Sequence, residues 1–335
     1  MSGKTTDNPV VDRIRQYREN RSVADILIDL GPFLMLFILM GVFTATSDVF
    51  LTYDNLVGNV MMNSMILLFV ALAGTFPILQ QSIDLSVASI VSLSGVVTAL
   101  LINNYQFGLL ALPVGVLAGT GVGVLNGVVF AKGKIPSFLV TLGSLSVFSG
   151  SALLMTGGYS VPFNAQGIRQ IAIGRTIPQV PNLVVWGLVV YVLVSLLAWK
   201  TTFGRYTYAL GENERVADFS GVKVDRYKIG AFVVSGTLCG LAGVLLAARI
   251  SSATPGMGSG LLLQSIAAIV MGGTALTGGV GGPHRTILGV LVIGVLTNGM
   301  NLLSVQSFVQ EIILGFVVIF AVAMSMDRDK IDIVK

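Results

Sequence analysis

Residues 85–131 read LSVASIVSLSGVVTALLINNYQFGLLALPVGVLAGTGVGVLNGVVFA and hold no charged side chain. A helix needs about 20 apolar residues to cross a bilayer, so this run is long enough for two. The polar break Asn103-Asn104-Tyr105-Gln106-Phe107-Gly108 marks the turn between them. Outward from it lie further uncharged runs at 30–47, 55–83, 135–168, 176–199, 229–248, 250–284, 286–310 and 312–326. Together they predict an all-α integral membrane protein of about ten transmembrane helices. The composition agrees: 54% of the 335 residues are hydrophobic and 11% are charged, which is far from a soluble domain.

The charges gather at 1–29, 200–228 and 327–335. With ten spans and the N-terminus inside, 17 of the 20 basic residues fall on the cytoplasmic side and only Arg169, Arg175 and Arg249 fall outside. That asymmetry predicts cytoplasmic N- and C-termini. The expected organisation is a cytoplasmic tail at 1–29, a transmembrane domain at 30–326 and a cytoplasmic tail at 327–335. The domain includes a cytoplasmic loop at 200–228 and an external loop at 157–182. Because the first apolar run begins only at about Leu30, it is expected to act as an uncleaved anchor. Loops between spans account for the net charge of +4, so no nucleic-acid partner is expected.

Catalytic and metal chemistry find little to work with. A single cysteine, Cys239, excludes an intrachain disulfide, and a single histidine, His284, argues against a histidine-based metal site. The glycine-rich residues 272–282 lack the spacing of a nucleotide-binding loop and read as a flexible break between two spans. Asp84 is the one acid stranded between long apolar runs. It reads as an interfacial cap for the next helix, with an intramembrane role as the alternative. The amides Asn63, Gln80, Gln81, Asn126, Gln264, Asn298 and Asn301 could line a wet path for a neutral solute or bond helix to helix.

Short segments recur in order about 170–179 residues apart. Ser86-Val87-Ala88-Ser89-Ile90-Val91 echoes Ser265-Ile266-Ala267-Ala268-Ile269-Val270. Asn126-Gly127 echoes Asn298-Gly299, and Ser137-Phe138-Leu139 echoes Ser307-Phe308-Val309. Each pair lies five spans apart, and an odd offset predicts inverted five-helix repeats.

In the loop 200–228, Asn213-Glu214-Arg215-Val216-Ala217-Asp218-Phe219-Ser220 reads as a short helix capped by Asn213 and stopped by Gly221. A helix this short is marginal alone and is steadied by a partner surface.

The stretch Gly204-Arg205-Tyr206-Thr207-Tyr208-Ala209-Leu210-Gly211-Glu212-Asn213, continuing to Ser220-Gly221-Val222, resembles the coupling loop of permease subunits of bacterial ABC sugar importers of the ribose/galactose/xylose type. Ile83-Asp84-Leu85-Ser86, Ile135-Pro136-Ser137-Phe138, Gly272-Gly273-Thr274 and Asn298-Gly299 are similar to that family in the same order. The chain departs from the family pattern at Val216-Ala217, at Ala88 and at Leu261-Leu262-Leu263.

The resemblance implies a non-enzymatic permease with no cofactor of its own, which moves a monosaccharide or similar small polar solute inward. It implies three partners: a second permease subunit in a homodimer or heterodimer, ATPase subunits carrying Mg-ATP, and a solute-binding protein. Gly211, Glu212, Asn213, Glu214, Arg215, Val216, Ala217, Asp218, Phe219, Ser220 and Gly221 would then be the ATPase-coupling residues. Tyr159, Arg169 and Arg175 of the outer loop are expected to meet the binding protein. The alternative is an ion-coupled secondary transporter, located like the permease in the bacterial inner membrane.

Overall fold

A computed structural model describes residues 23–325. The tail residues 1–22 and 326–335 lie outside the described residues. Among the described residues thirteen helices follow in order: α1 (Val23–Thr46), α2 (Tyr53–Leu79), α3 (Val87–Tyr105), α4 (Gly108–Gly133), α5 (Ser137–Thr156), α6 (Gln166–Ile173), α7 (Asn182–Lys200), α8 (Thr202–Glu212), α9 (Glu214–Phe219), α10 (Val224–Ile250), α11 (Leu261–Met271), α12 (Pro283–Leu302) and α13 (Ser307–Ser325). Two-residue strands β1 (Val161–Pro162) and β2 (Ser252–Ala253) pair antiparallel.

Seven of these helices, α2, α3, α4, α5, α7, α10 and α12, are long and apolar enough to cross a membrane. The chain is thus a helical integral membrane protein. The turn inside 85–131 falls where the polar break places it, with Gln106 in the left-handed region at φ 53° after α3. The uncharged run 250–284 behaves differently from expectation. Between the end of α10 at Ile250 and the start of α12 at Pro283, only Leu261–Met271, 11 residues, is helical, because Pro255 and glycines 256, 258 and 260 precede it and Gly272-Gly273 end it. At 1.5 Å per residue α11 rises about 16 Å, roughly half of a hydrocarbon core. Likewise α1 begins at Val23, inside the expected N-terminal tail.

Glycines set the closest helix contacts. On α4 a Cβ at Gly119 would stand 2.7 Å from the Gly236 carbonyl oxygen of α10, and one at Gly127 would stand 2.9 Å from the Ile229 Cα. Backbone meets backbone there, and only glycine permits it. Packing follows the sequence echo: α3 touches α4 and α5 as α11 touches α12 and α13, while α10 packs on α3 and α4 as α2 packs on α11 and α12.

Candidate functional site

Local chemistry builds the charged loop into two helices joined through one residue. Thr201 Oγ1 accepts the Gly204 N–H at 3.2 Å and starts α8. Asn213, extended at φ −159°, ends α8 and opens α9, where its Oδ1 accepts the Val216 N–H at 3.1 Å. Gly221, at φ 81°, lets the chain turn away. One side of α9 is anchored, since Ala217 is buried in a small cluster with Leu210 and Val224. Glu214 pairs with Lys228 at 2.7 Å, and the Lys228 ammonium also sits 4.9 Å from the Phe130 ring centroid. The other side is bare: Val216 is 58% exposed and Phe219 90%. Glu212, Asn213, Arg215, Asp218, Ser220 and Gly221 are also exposed, while Gly211 is buried. Residues three apart share a helix face, so Val216 and Phe219 form one apolar knob.

Beneath this knob, α8 is held on several sides. Gln81 Nε2 donates to the Gly211 carbonyl at 2.7 Å, and Gln80 Nε2 donates to Thr207 Oγ1 and to the Tyr227 carbonyl, both at 3.1 Å. Tyr208 donates its hydroxyl to the Gly281 carbonyl at 2.9 Å. Partial burial raises the Tyr208 pKa above the usual phenol value. The residues 272–282 break the helices where expected, between α11 and α12, and form an internally bonded turn. Ala275 donates to the Val280 carbonyl at 3.2 Å, and Gly282 N–H donates to Thr274 Oγ1 at 3.0 Å.

Asp84 lies deeper than an interfacial cap. Its Oδ1 accepts the Ser86 N–H at 3.0 Å and the Ser86 hydroxyl at 2.5 Å, a local turn just ahead of α3 rather than a cap on its first-turn amides, since Ser86 is the residue at the cap position. Its Oδ2 accepts the Ser235 hydroxyl at 2.7 Å, and Ser235 is the twelfth of the 27 residues of α10. The carboxylate therefore sits near the middle of that helix, buried within the protein. Asn126 Nδ2 donates to Ser86 Oγ at 2.9 Å and ties α4 to the cluster. Ser86 belongs to the Ile83-Asp84-Leu85-Ser86 motif, whereas Ser235 does not stand out from the small-residue run around it in sequence.

Most of the seven amides are occupied by protein. Asn298 exchanges two 2.9 Å bonds with Asn55, a residue that no motif in the sequence marks. Asn301 accepts from Gln310 at 2.8 Å. The side chains of Asn63 and Gln264 keep partial access, exposed and half-buried respectively. At the opposite end of α10 from α9, β1 and β2 join the loop 157–182 to the Ile250 terminus. Tyr159, at 78% exposure, and the exposed Arg169 and Arg175 project from this loop.

The class that emerges is a polytopic helical membrane protein with a short helix exposed on one side and, among the described residues, no cluster able to hold a metal. Residues 56–322 match the family described as branched-chain amino acid transport system / permease component, and the chain belongs to that family. It is 38% identical over 315 residues to the ribose import permease protein RbsC of Bacillus subtilis, covering 91% of this chain and 94% of that protein. The Escherichia coli K12 RbsC is 36% identical, covering 88% of this chain and 93% of its own length. The D-allose transport system permease protein AlsC of the same strain is 33% identical, covering 88% of this chain and 90% of its own. No solved structure matches the chain significantly. The sequence resemblance thus holds: the chain is a permease of the bacterial ABC sugar-importer type, a multi-pass protein of the cytoplasmic membrane.

Proposed function

We propose that the chain forms the inward path for a monosaccharide or similar small polar solute, driven by ATP hydrolysis on a partner subunit. The observation that carries this is α9, a short helix anchored on one side that presents Val216 and Phe219 outward. An apolar knob flanked by charge suits a cleft in a cytoplasmic ATPase bearing Mg-ATP, where ATP-driven closure would push on it. A second permease subunit, the same chain or a related one, completes the path.

In this reading α1, α13 and α11 with its preceding connector complete ten spans and leave both termini in the cytoplasm. Residues 251–260 are not helical, yet Gly258 N–H donates to Ser92 Oγ in α3 at 3.0 Å. Irregular backbone at membrane depth is tolerated where it is buried in protein or lines a solute cavity. The path is assigned to this connector and to Asn63 and Gln264. About 40 Å of α10 separates α9 from the loop that bears Tyr159, Arg169 and Arg175. That loop is assigned to the solute-binding protein.

Relatives named for ribose, D-allose and L-arabinose, each matching most of this chain, support a sugar over an amino acid. An ion-coupled carrier would rely on buried carboxylates. Among the described residues Asp84 alone is one, and both its oxygens already accept hydroxyls. The test is uptake of labelled ribose, allose and arabinose by cells expressing the chain with its neighbouring transport genes. Uptake that survives a protonophore while ATP is maintained, and stops when ATP is depleted, supports the reading. Uptake that follows the ion gradient refutes it.

A further inference from the structure

The Mg-ATP partner would push on α9, and the solute would cross through α2, α3 and α11, so some contact must carry the motion between them. The link from α9 back to α8 is the single extended residue Asn213, which leaves little slack. Behind it three hydrogen bonds close a triangle: Gln81 Nε2 to the Gly211 carbonyl at 2.7 Å, Gly279 N–H to the Leu79 carbonyl at 3.0 Å, and the Tyr208 hydroxyl to the Gly281 carbonyl at 2.9 Å. Its corners are the end of α8, the end of α2 and the turn 272–282 that joins α11 to α12.

The triangle is also sterically closed. A Cβ at Gly211 would collide with the Leu79 carbonyl and the Gly279 amide, and one at Gly279 would meet Glu212 at 2.9 Å. Gln81 holds a left-handed backbone at φ 57°, a conformation that surroundings must impose on a non-glycine residue. Beyond it, Ile83 donates its N–H to Ser137 Oγ at 3.2 Å and accepts from Thr141 Oγ1 at 3.2 Å, which continues the link into α5.

We propose that Gln81 and Tyr208 are positioning residues of the transport cycle, clamping α8 to α2 and to the α11–α12 turn so that displacement of α9 moves those helices as one unit. Neither residue touches solute or nucleotide in this account. The proposal rests on the permease reading, and it adds a prediction that reading does not make: hydrolysis and transport can be separated by changes that leave the docking knob intact.

The experiment uses the complex of the full chain with its ATPase, captured from the native host membrane and placed in proteoliposomes with the solute-binding protein. Gln81→Leu and Tyr208→Phe are compared with the unmodified chain for ATPase retained, ATP hydrolysed and labelled sugar accumulated. Tyr208→Phe keeps the ring and removes only the hydroxyl, so it guards against misfolding of the Gln81 variant. The expected result is normal ATPase retention and hydrolysis with sugar moved per ATP lowered at least about five-fold in Gln81→Leu and less in Tyr208→Phe. An unchanged ratio in both variants, or hydrolysis and uptake falling in proportion, overturns the clamp. Failure of the unmodified chain to retain any ATPase overturns the permease reading itself, and the clamp with it.

Discussion

Asp84 accepts a 2.7 Å hydrogen bond from Ser235, a residue 151 positions further along the chain and near the middle of α10. The bond joins the connector between α2 and α3 to the 27-residue helix α10, inside the protein and away from water. Two hydroxyls and a backbone amide converge on one carboxylate.

Asp84→Ala should therefore cost about 2–4 kcal/mol, because polar donors are left unmet in an apolar interior. Asp84→Asn keeps an acceptor for Ser86 and a polar atom near Ser235, so its loss should be smaller. Thermal unfolding of the purified protein in detergent checks the order. Equal midpoints for the two variants would contradict the structural role given to the carboxylate.

Asn55 and Asn298 bridge α2 and α12 through two reciprocal bonds. A double-mutant cycle with Asn55→Ala and Asn298→Ala should show a coupling of about 0.5–2 kcal/mol, the range for interhelical polar pairs in membranes. Strictly additive losses would mean that the pair does not hold the two helices together.

The α4–α10 contact should be intolerant of side chains at chosen positions only. Gly236→Leu would drive its side chain into the backbone of Gly119 and Gly123, whereas a Cβ at Gly121 would meet no atom within 4 Å. Membrane levels of the Gly236→Leu protein should fall well below those of Gly121→Leu, since forcing these backbones apart costs at least about 1–3 kcal/mol. Equal levels on a quantitative membrane blot would refute the close approach.

What the sequence alone made legible was local. The turn within 103–108 and the Asn213 and Gly221 boundaries of α9 follow from short-range backbone chemistry, and each can be read from a few neighbouring residues. The shortness of α11 was hidden because an uncharged run reports apolarity and says nothing of helicity, although Pro255 and its flanking glycines carried the warning. The depth of Asp84 depended on Ser235, and the engagement of Gln80 and Gln81 depended on α8, both far away in sequence. Nothing in residues 80–84 announces those partners.

The most direct test of the central claim is capture of the tagged chain from its own host in mild detergent, followed by mass spectrometry of what stays bound. A Val216→Asp, Phe219→Asp variant is run alongside. Both side chains are exposed, so their replacement leaves the fold intact and charges only the apolar knob of α9. The account predicts a nucleotide-binding ATPase bound to the unmodified chain and lost, or reduced at least about ten-fold, from the variant at equal membrane level. An ATPase retained equally by both, or absent from both while the chain alone concentrates sugar under an ion gradient, would contradict it.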